Sequence, residues 1–271
     1  MSRIDDVFEA ASAAGHMTFM PFVTAGDACL ETTRQVLLAL RDAGTDLIEL
    51  GFPYSDPIAD GPVIQASYTR ALAKHISVRQ IMETMASLRD EGLPPVLAMV
   101  SFAIIFRHGA AEFVREAAEA GFSGLIVPDL PADEADDLRT LSATSGLDLV
   151  QLIAPTTSSR RTDQILATSQ GFLYCISVAG TTGARRELPA ELANQLRELR
   201  QRSRLPLAVG FGVSSPDQVA QLAGHADGVI VGSAIVKRIA ESQSPEQAAD
   251  AVREFCRPMM AATRAASPTA R

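Results

Sequence analysis

The sequence predicts an α/β fold, a (β/α)8 TIM barrel with an extra N-terminal helix and an extra helix after strand 2. Three observations predict it. Eight short β-rich runs alternate with longer helical patterns, at residues 18–23, 46–50, 96–100, 124–127, 149–153, 172–176, 207–209 and 228–231. Strands separated by helices pair in parallel through right-handed crossovers, and eight such units close naturally into a barrel. The chain has 271 residues, close to the roughly 250 of one barrel domain. Glycine-rich segments follow runs six, seven and eight, where barrels commonly place phosphate-binding loops. A doubly wound open sheet is the second choice.

Taken in order, Ser2 followed by Asp5 and Asp6, then Val7, Phe8 and Ala11, reads as a capped helix outside the eightfold count, placed to plug the barrel bottom. After the first strand, Val36, Leu37 and Leu40 recur at helical spacing and Gly44 stops the helix. Strand two leads into a proline-stiffened loop, residues 52–62, and then the extra helix through Val63, Ile64 and Ala66. The helical cadence returns at Val114, Ala117 and Ala118 before Gly121, and Ser244-Pro245-Glu246 opens a last amphipathic helix through Val252 and Phe255. From Ala261 the core pattern ends and fraying is expected. The chain is read as one domain over 1–265 with a disordered tail over 266–271.

Composition narrows the function. Lys and Arg number 24 against 32 Asp and Glu, a net charge of −8, with no long basic run, which argues against nucleic acid or an anionic membrane as partner. Acids where an export signal would begin its apolar core, and no apolar stretch approaching the roughly 20 residues of a membrane span, point to a cytoplasmic protein. The three cysteines, Cys29, Cys175 and Cys256, are far apart and odd in number, so they read as small buried hydrophobes in a reducing compartment. Lys74 and Lys237 are the only lysines and fall in helical segments, which disfavours Schiff-base chemistry. His16, His75, His108 and His225 avoid strand ends and lack ligand spacing, so no metal site is expected.

Chemistry then falls to carboxylates and backbone donors. In strand two, period-two alternation puts Ile48 and Leu50 on one face and Leu47 and Glu49 on the other. If the first pair packs against helices, Glu49 points into the barrel mouth, where desolvation raises its pKa toward acid/base use. The competing possibility is a strand-end glutamate reaching solvent or an arginine. The following loop adds Asp56, an Asx-turn candidate before Pro57, and Asp60, either a second carboxylate for proton shuttling or a plain helix cap. Gly180-Thr181-Thr182-Gly183, Gly210-Phe211-Gly212 and Gly232-Ser233 follow strands six to eight and together read as a phosphate cradle.

Residues 49–57, Glu-Leu-Gly-Phe-Pro-Tyr-Ser-Asp-Pro, with Ala59-Asp60-Gly61-Pro62-Val63-Ile64-Gln65, closely resemble the signature of the tryptophan synthase alpha subunit family. The resemblance continues through Val127-Pro128-Asp129-Leu130-Pro131, Thr181-Thr182-Gly183-Ala184, residues 210–216 and residues 232–237, and spans about Ile4 to Thr263. It implies retro-aldol cleavage of indole-3-glycerol phosphate to indole and glyceraldehyde 3-phosphate in tryptophan biosynthesis, without metal or Schiff base. By resemblance Glu49 is the acid/base that protonates indole C3 and Asp60 takes up the indole N–H. Phosphate falls to Gly183, Gly212, Gly232 and Ser233; Phe22, Ile64, Ile126, Tyr174 and Phe211 line the indole pocket; Thr182 belongs to a lid over 179–188. No cofactor is implied in this chain, pyridoxal phosphate belonging to a beta subunit that completes an alpha2beta2 heterotetramer.

One departure is local. After strand three the family has a Tyr and then an Asn-Pro pair in the loop that docks on beta, whereas this chain has Ser101 and Ala103 within Val100-Ser101-Phe102-Ala103-Ile104-Ile105-Phe106. The apolar run reads as an altered partner surface or a strand extended by two residues. Two alternatives to an ordinary alpha subunit follow: a stand-alone lyase releasing free indole, and a regulatory subunit that binds the phosphate ligand without turnover.

Overall fold

A computed structural model, described over residues 1–57, 60–176, 188, 190–210 and 212–268, shows eight parallel strands closed in sequence order into one barrel. They are β1 (Thr18–Thr24), β2 (Ile48–Gly51), β3 (Val96–Met99), β4 (Gly124–Ile126), β5 (Asp148–Ile153), β6 (Leu173–Ile176), β7 (Leu207–Gly210) and β8 (Gly228–Val231). The described helices are α1 (Arg3–Ala13), α2 (Leu30–Ala43), α3 (Pro62–Leu72), α4 (Val78–Ala86), α5 (Phe102–His108) and α6 (Ala110–Ala120), followed by α7 (Asp136–Thr144), α8 (Ser159–Thr168), α9 (Ala190–Arg202), α10 (Pro216–Gln221), α11 (Ser233–Glu241) and α12 (Pro245–Ala265). None of the described helices is long and apolar enough to cross a membrane.

Strands buried on both faces need apolar residues at successive positions, and alternation then sorts them into two cores. Ile48, Leu50, Val96, Ala98, Val229 and Val231 pack outward with the helices. Leu47, Leu97, Ile126, Val150, Ala208 and Ile230 fill the barrel interior. The interior is closed from below by α1, whose start is a capping box: the Asp5 N–H donates to Ser2 Oγ at 3.1 Å and the Ser2 N–H to Asp5 Oδ2 at 2.9 Å. Ile4 and Phe8 of α1 enter the inner cluster, and the Phe8 and Phe172 ring centroids lie 5.4 Å apart.

Three expectations are corrected. The apolar run after β3 is neither loop nor extended strand but the helix α5. Ser101 caps it, accepting the Ala103 N–H at 3.2 Å, while Asp129 accepts the Phe102 N–H at 2.7 Å and the Ser101 hydroxyl at 2.6 Å. Cys29 is not a buried hydrophobe: it is partly exposed and caps α2, its sulfur accepting from the Thr32 N–H. The carboxyl terminus stays bound well past Ala261. Helix α12 runs to Ala265, Thr263 and Ala266 are buried, and both their carbonyls accept the Met17 N–H at 3.2 and 3.1 Å. The Gly224 N–H donates to the Ser267 carbonyl at 2.9 Å, and residues 269–271 lie outside the described chain.

Helix α3, the extra helix after β2, is clamped to the first strand and its loop. The Thr24 and Ser67 hydroxyls meet at 2.7 Å, and Arg70 donates from Nε and Nη2 to the two oxygens of Asp27 at 2.7 and 2.8 Å. Asp27 is 1% exposed, whereas the Arg70 side chain is 40% exposed. The asymmetry dictates an order of damage. Arg70→Ala strands a buried carboxylate and is expected to cost about 2–3 kcal/mol, the low end for a broken buried pair because one partner already touches water. Asp27→Ala frees an arginine that can hydrate and costs less; urea unfolding of the two variants checks the order.

Candidate active site

The carboxyl ends of the barrel strands bring Glu49 together with a set of apolar and phenolic side chains. Glu49 stands opposite Phe22 of β1 and Leu97 of β3 in the strand register, so it belongs to the inward-facing row. It is 0% exposed, and neither carboxylate oxygen has a hydrogen-bond partner among the described residues. Burial without a compensating charge disfavours the anion and holds the Glu49 pKa well above the ordinary carboxylate value. Neither competing placement, solvent or an arginine, is what the barrel gives this side chain.

Asp60 lies in the segment that leads into α3. The cap of α3 is Gly61, with no side-chain hydrogen bond, so Asp60 is not spent as a helix cap. Desolvation raises its pKa from the ordinary 3.8 to about 6, with the nearby Tyr54 hydroxyl opposing the rise. The Asp56 carboxylate, by contrast, accepts the Ser55 hydroxyl at 2.8 Å in an exposed setting.

The pocket wall is assembled from five elements. Phe22 from β1, Ile64 and Tyr68 from α3, Met99 from β3, Ile126 from β4 and Tyr174 from β6 form part of one inner cluster. Two glycines permit the close approach of the rings. A Cβ at Gly51 would stand 2.5 Å from the Phe22 ring and 3.0 Å from the Tyr68 hydroxyl, and one at Gly210 would stand 2.6 Å from the Tyr174 ring. Gly232 lies beside Phe22 and Ile64, its Cβ position 3.6 Å from Phe22 Cβ and 3.8 Å from Ile64 Cδ1.

Gly232 also starts α11, whose first residue is Ser233 and whose N-terminus has no side-chain cap. The first N–H groups of such a helix attract anions. Gly212, after β7, has φ +79° and open space where a Cβ would be. Thr182, Gly183 and Phe211 lie outside the described residues, as does the 179–188 segment apart from Leu188.

Sequence reasoning missed Tyr54 and Tyr68. The chain contains three tyrosines, and with Tyr174 all of them feel the negative charge of Asp60. That concentration of a scarce residue type was the available signal. A separate cavity of about 540 Å3 opens between the turn after β5 and α9, lined by Pro155, Thr157, Glu191 and Glu198 among others. Its two acids are exposed helix side chains, so it offers none of the desolvation that tunes Glu49 and Asp60.

The arrangement suits proton transfer: one carboxyl held neutral in an enclosed apolar pocket, a second close to neutrality at its rim, and a helix N-terminus beside the same wall. Comparison with known proteins agrees in scale and detail. The family model described as tryptophan synthase alpha chain matches residues 8–264. The tryptophan synthase alpha chain of Rhodopirellula baltica is 45% identical over 245 residues, 89% of this chain and 88% of that one. The crystal structure of tryptophan synthase subunit alpha from Legionella pneumophila str. Paris superposes with a TM-score of 0.88 at 36% identity, covering 97% of this chain and 98% of that one. A structure of Mycobacterium tuberculosis tryptophan synthase gives 0.89 at 33% identity, covering 97% and 98%. With the enclosed glutamate and the barrel that holds it, these matches make this chain a member of the tryptophan synthase alpha chain family.

Proposed function

We propose that Glu49 and Asp60 are the acid/base pair of this chain's reaction, the one its family catalyses: lyase cleavage of indole-3-glycerol phosphate to indole and glyceraldehyde 3-phosphate in tryptophan biosynthesis. The observation that carries the reading is the fully enclosed Glu49 carboxyl, without a hydrogen-bond partner among the described residues, in the same interior as the aromatic wall. A carboxyl kept neutral by its surroundings donates its proton to indole C3. The ring then becomes an electron sink, the bond from C3 to the glycerol chain breaks with its electron pair returning to the ring, and the neighbouring hydroxyl becomes the aldehyde carbonyl. The proton that hydroxyl releases returns to the Glu49 carboxylate, which leaves the enzyme as it began. Asp60, ionised above about pH 6, takes the indole N–H and favours the electron-rich ring nitrogen the step requires.

Phe22, Ile64, Ile126 and Tyr174 hold the indole ring, joined by Phe211. The phosphate sits at the α11 N-terminus with Gly232 and Ser233 and at Gly212 and Gly183, while Thr182 orients the carboxylates from the lid. Within the family pyridoxal phosphate belongs to the beta subunit. We place the docking of beta on the outer surface of α5. Phe106 is 74% exposed there, Phe102 packs on it at 6.4 Å between ring centroids, and Ala103 is exposed. Ser101 and Asp129 fix the start of that helix from below, so the surface is rigid although it lacks the amide the family carries. The assembly is then the alpha2beta2 heterotetramer, in the cytoplasm.

The primary test is the rate of indole release from indole-3-glycerol phosphate by the purified chain, alone and with a beta subunit. Strong activation by beta is expected; a high rate that beta leaves unchanged would make the chain a stand-alone lyase, and no turnover with beta present would leave a ligand-binding subunit.

Glu49→Gln is expected to lower kcat by about 10²–10⁴-fold with KM changed little. The same substitution should raise the melting temperature at pH 8. The Glu49 pKa is raised in the fold by desolvation, so its burial costs stability that grows as pH rises above the ordinary carboxylate value, where the unfolded chain ionises first. Each kcal/mol recovered appears as about 2–4 °C, and the gain should fade toward pH 4, where the glutamate is neutral in both states.

The pH profile of kcat follows from the same two groups. The acid limb should fall near pH 6 as Asp60 protonates, and the alkaline limb at the raised Glu49 pKa as its proton is lost. Asp60→Asn should abolish the acid limb while slowing turnover less than Glu49→Gln; kinetics between pH 5 and 10 check both.

A further inference from the structure

We propose that Gln65 is a positioning residue for Asp60: from the start of α3 its side-chain amide ties together the Pro57 and Asp60 carbonyls and so fixes the main chain that presents the Asp60 carboxylate to the pocket. The inference rests on the reading of Asp60 as the group that takes the indole N–H.

Gln65 is the fourth residue of α3. Side chains on an α-helix lean toward its N-terminus, so one at this position lies back over the segment that enters the helix. There the amide meets two acceptors. Gln65 Nε2 donates to the Asp60 carbonyl at 2.8 Å and to the Pro57 carbonyl at 3.2 Å. Carbonyls only accept, so the amide faces them with its two N–H groups rather than with its oxygen. The Asp60 N–H donates to the same Pro57 carbonyl at 3.1 Å. Asp60 is thereby bonded at both its main-chain N–H and its carbonyl, with Pro57 and Gln65 closing the arrangement.

The helix backbone does not supply this support. Its ladder begins at the Gly61 carbonyl, which accepts the Gln65 N–H at 3.0 Å, so the Asp60 carbonyl lies one residue outside it. The base of the clamp is firm. Helix α3 is tied to β1 and its loop by the Thr24–Ser67 and Asp27–Arg70 bonds, and Ile64 and Tyr68 on its inner face are buried in the barrel interior. Gln65 itself is exposed, so its side chain serves the clamp rather than the core. Where the main chain of Asp60 lies sets where its carboxylate points, and an error of about 1 Å in a catalytic group can cost as much as about a hundredfold in rate. The bond from Asp60 to the indole N–H strengthens as C3 takes up its proton and the ring nitrogen turns positive. A misplaced carboxylate is therefore felt in the transition state more than in substrate binding.

The experiment measures indole release from indole-3-glycerol phosphate at pH 8 by the full chain with a beta subunit present. Gln65→Met keeps the length of the side chain without a donor, and Gln65→Lys restores one. Gln65→Met is expected to lower kcat about tenfold, with KM and the melting temperature changed little. Gln65→Lys should recover most of that loss. In the Asp60→Asn background Gln65→Met should add little, because its effect passes through the carboxylate. A kcat in Gln65→Met equal to the parent's overturns the proposal, as does an equal loss in Gln65→Lys or the whole loss repeated in the Asp60→Asn background. If Asp60→Asn alone leaves kcat unchanged, the catalytic reading of Asp60 fails instead. The clamp is then decided by amide hydrogen exchange at Asp60, expected to be about tenfold faster in Gln65→Met than in the parent, and an unchanged exchange rate removes it.

Discussion

The described residues at the mouth of this barrel are arranged around one costly group, the Glu49 carboxyl, enclosed with no hydrogen-bond partner among them. An ionised carboxylate removed from water without a partner is so unfavourable that the group instead keeps its proton. That outcome requires the enclosure to be complete. A partner from an arginine, or a path for water, would restore the anion and remove the acid. The interior around Glu49 therefore has to be apolar or phenolic, which is the composition the strands deliver through Phe22, Leu97, Ile126 and Tyr174. The outer core serves the same end indirectly. Ile48 and Leu50, on either side of Glu49 in sequence, are anchored among the helices, and a slip of one residue would turn Glu49 outward and put two apolar side chains in the pocket.

The second carboxylate is held by different means. Glu49 belongs to a strand hydrogen-bonded on both sides, whereas Asp60 sits in a loop and depends on α3 for its support. That helix is fastened by a hydroxyl pair and a bidentate ion pair in which only the arginine reaches water. The loop after β2 thus gains a firm floor without being incorporated in the sheet. Rigidity is graded outward, from the strand that carries the acid, through the clamped helix, to the loop that carries the second carboxylate.

How far this was legible in the sequence depended on the range of the interaction. Period-two alternation is local, and it placed Ile48, Leu50 and Glu49 on their faces. The start of α1 was equally readable because a capping box is contained within Ser2 to Asp5. Ser101 was misread because its role depends on Asp129, 28 residues away, and a short apolar run has no periodicity that separates helix from strand. The carboxyl-terminal segment failed for the same reason: it is held by Met17 and Gly224, which no pattern within 261–268 announces. The site residues were read at two levels. Spacing alone reached a paired-carboxylate chemistry and a phosphate-bearing ligand, and only the family signature supplied the indole ring. Tyr54 stands in the family signature without a role of its own there and Tyr68 lies outside it; the 5.4 Å pairing of their rings is made only by the fold.

The roles proposed for Glu49 and Asp60 call for neither lysine nor histidine at the site. Cleaving a carbon–carbon bond requires a place for the electron pair, which an iminium or a metal can provide, but which a protonated indole provides by itself. What the protein must then supply is a proton at one ring atom and an acceptor at another, from groups of the same chemical type in opposite states. Full enclosure holds one carboxyl neutral. Partial burial, with a phenolic hydroxyl opposing it, raises the pKa of the other to about 6. On the proposed roles, a difference of environment, rather than of residue type, separates acid from base, and it persists only while the barrel excludes water from Glu49 and the loop keeps Asp60 at the edge of that exclusion.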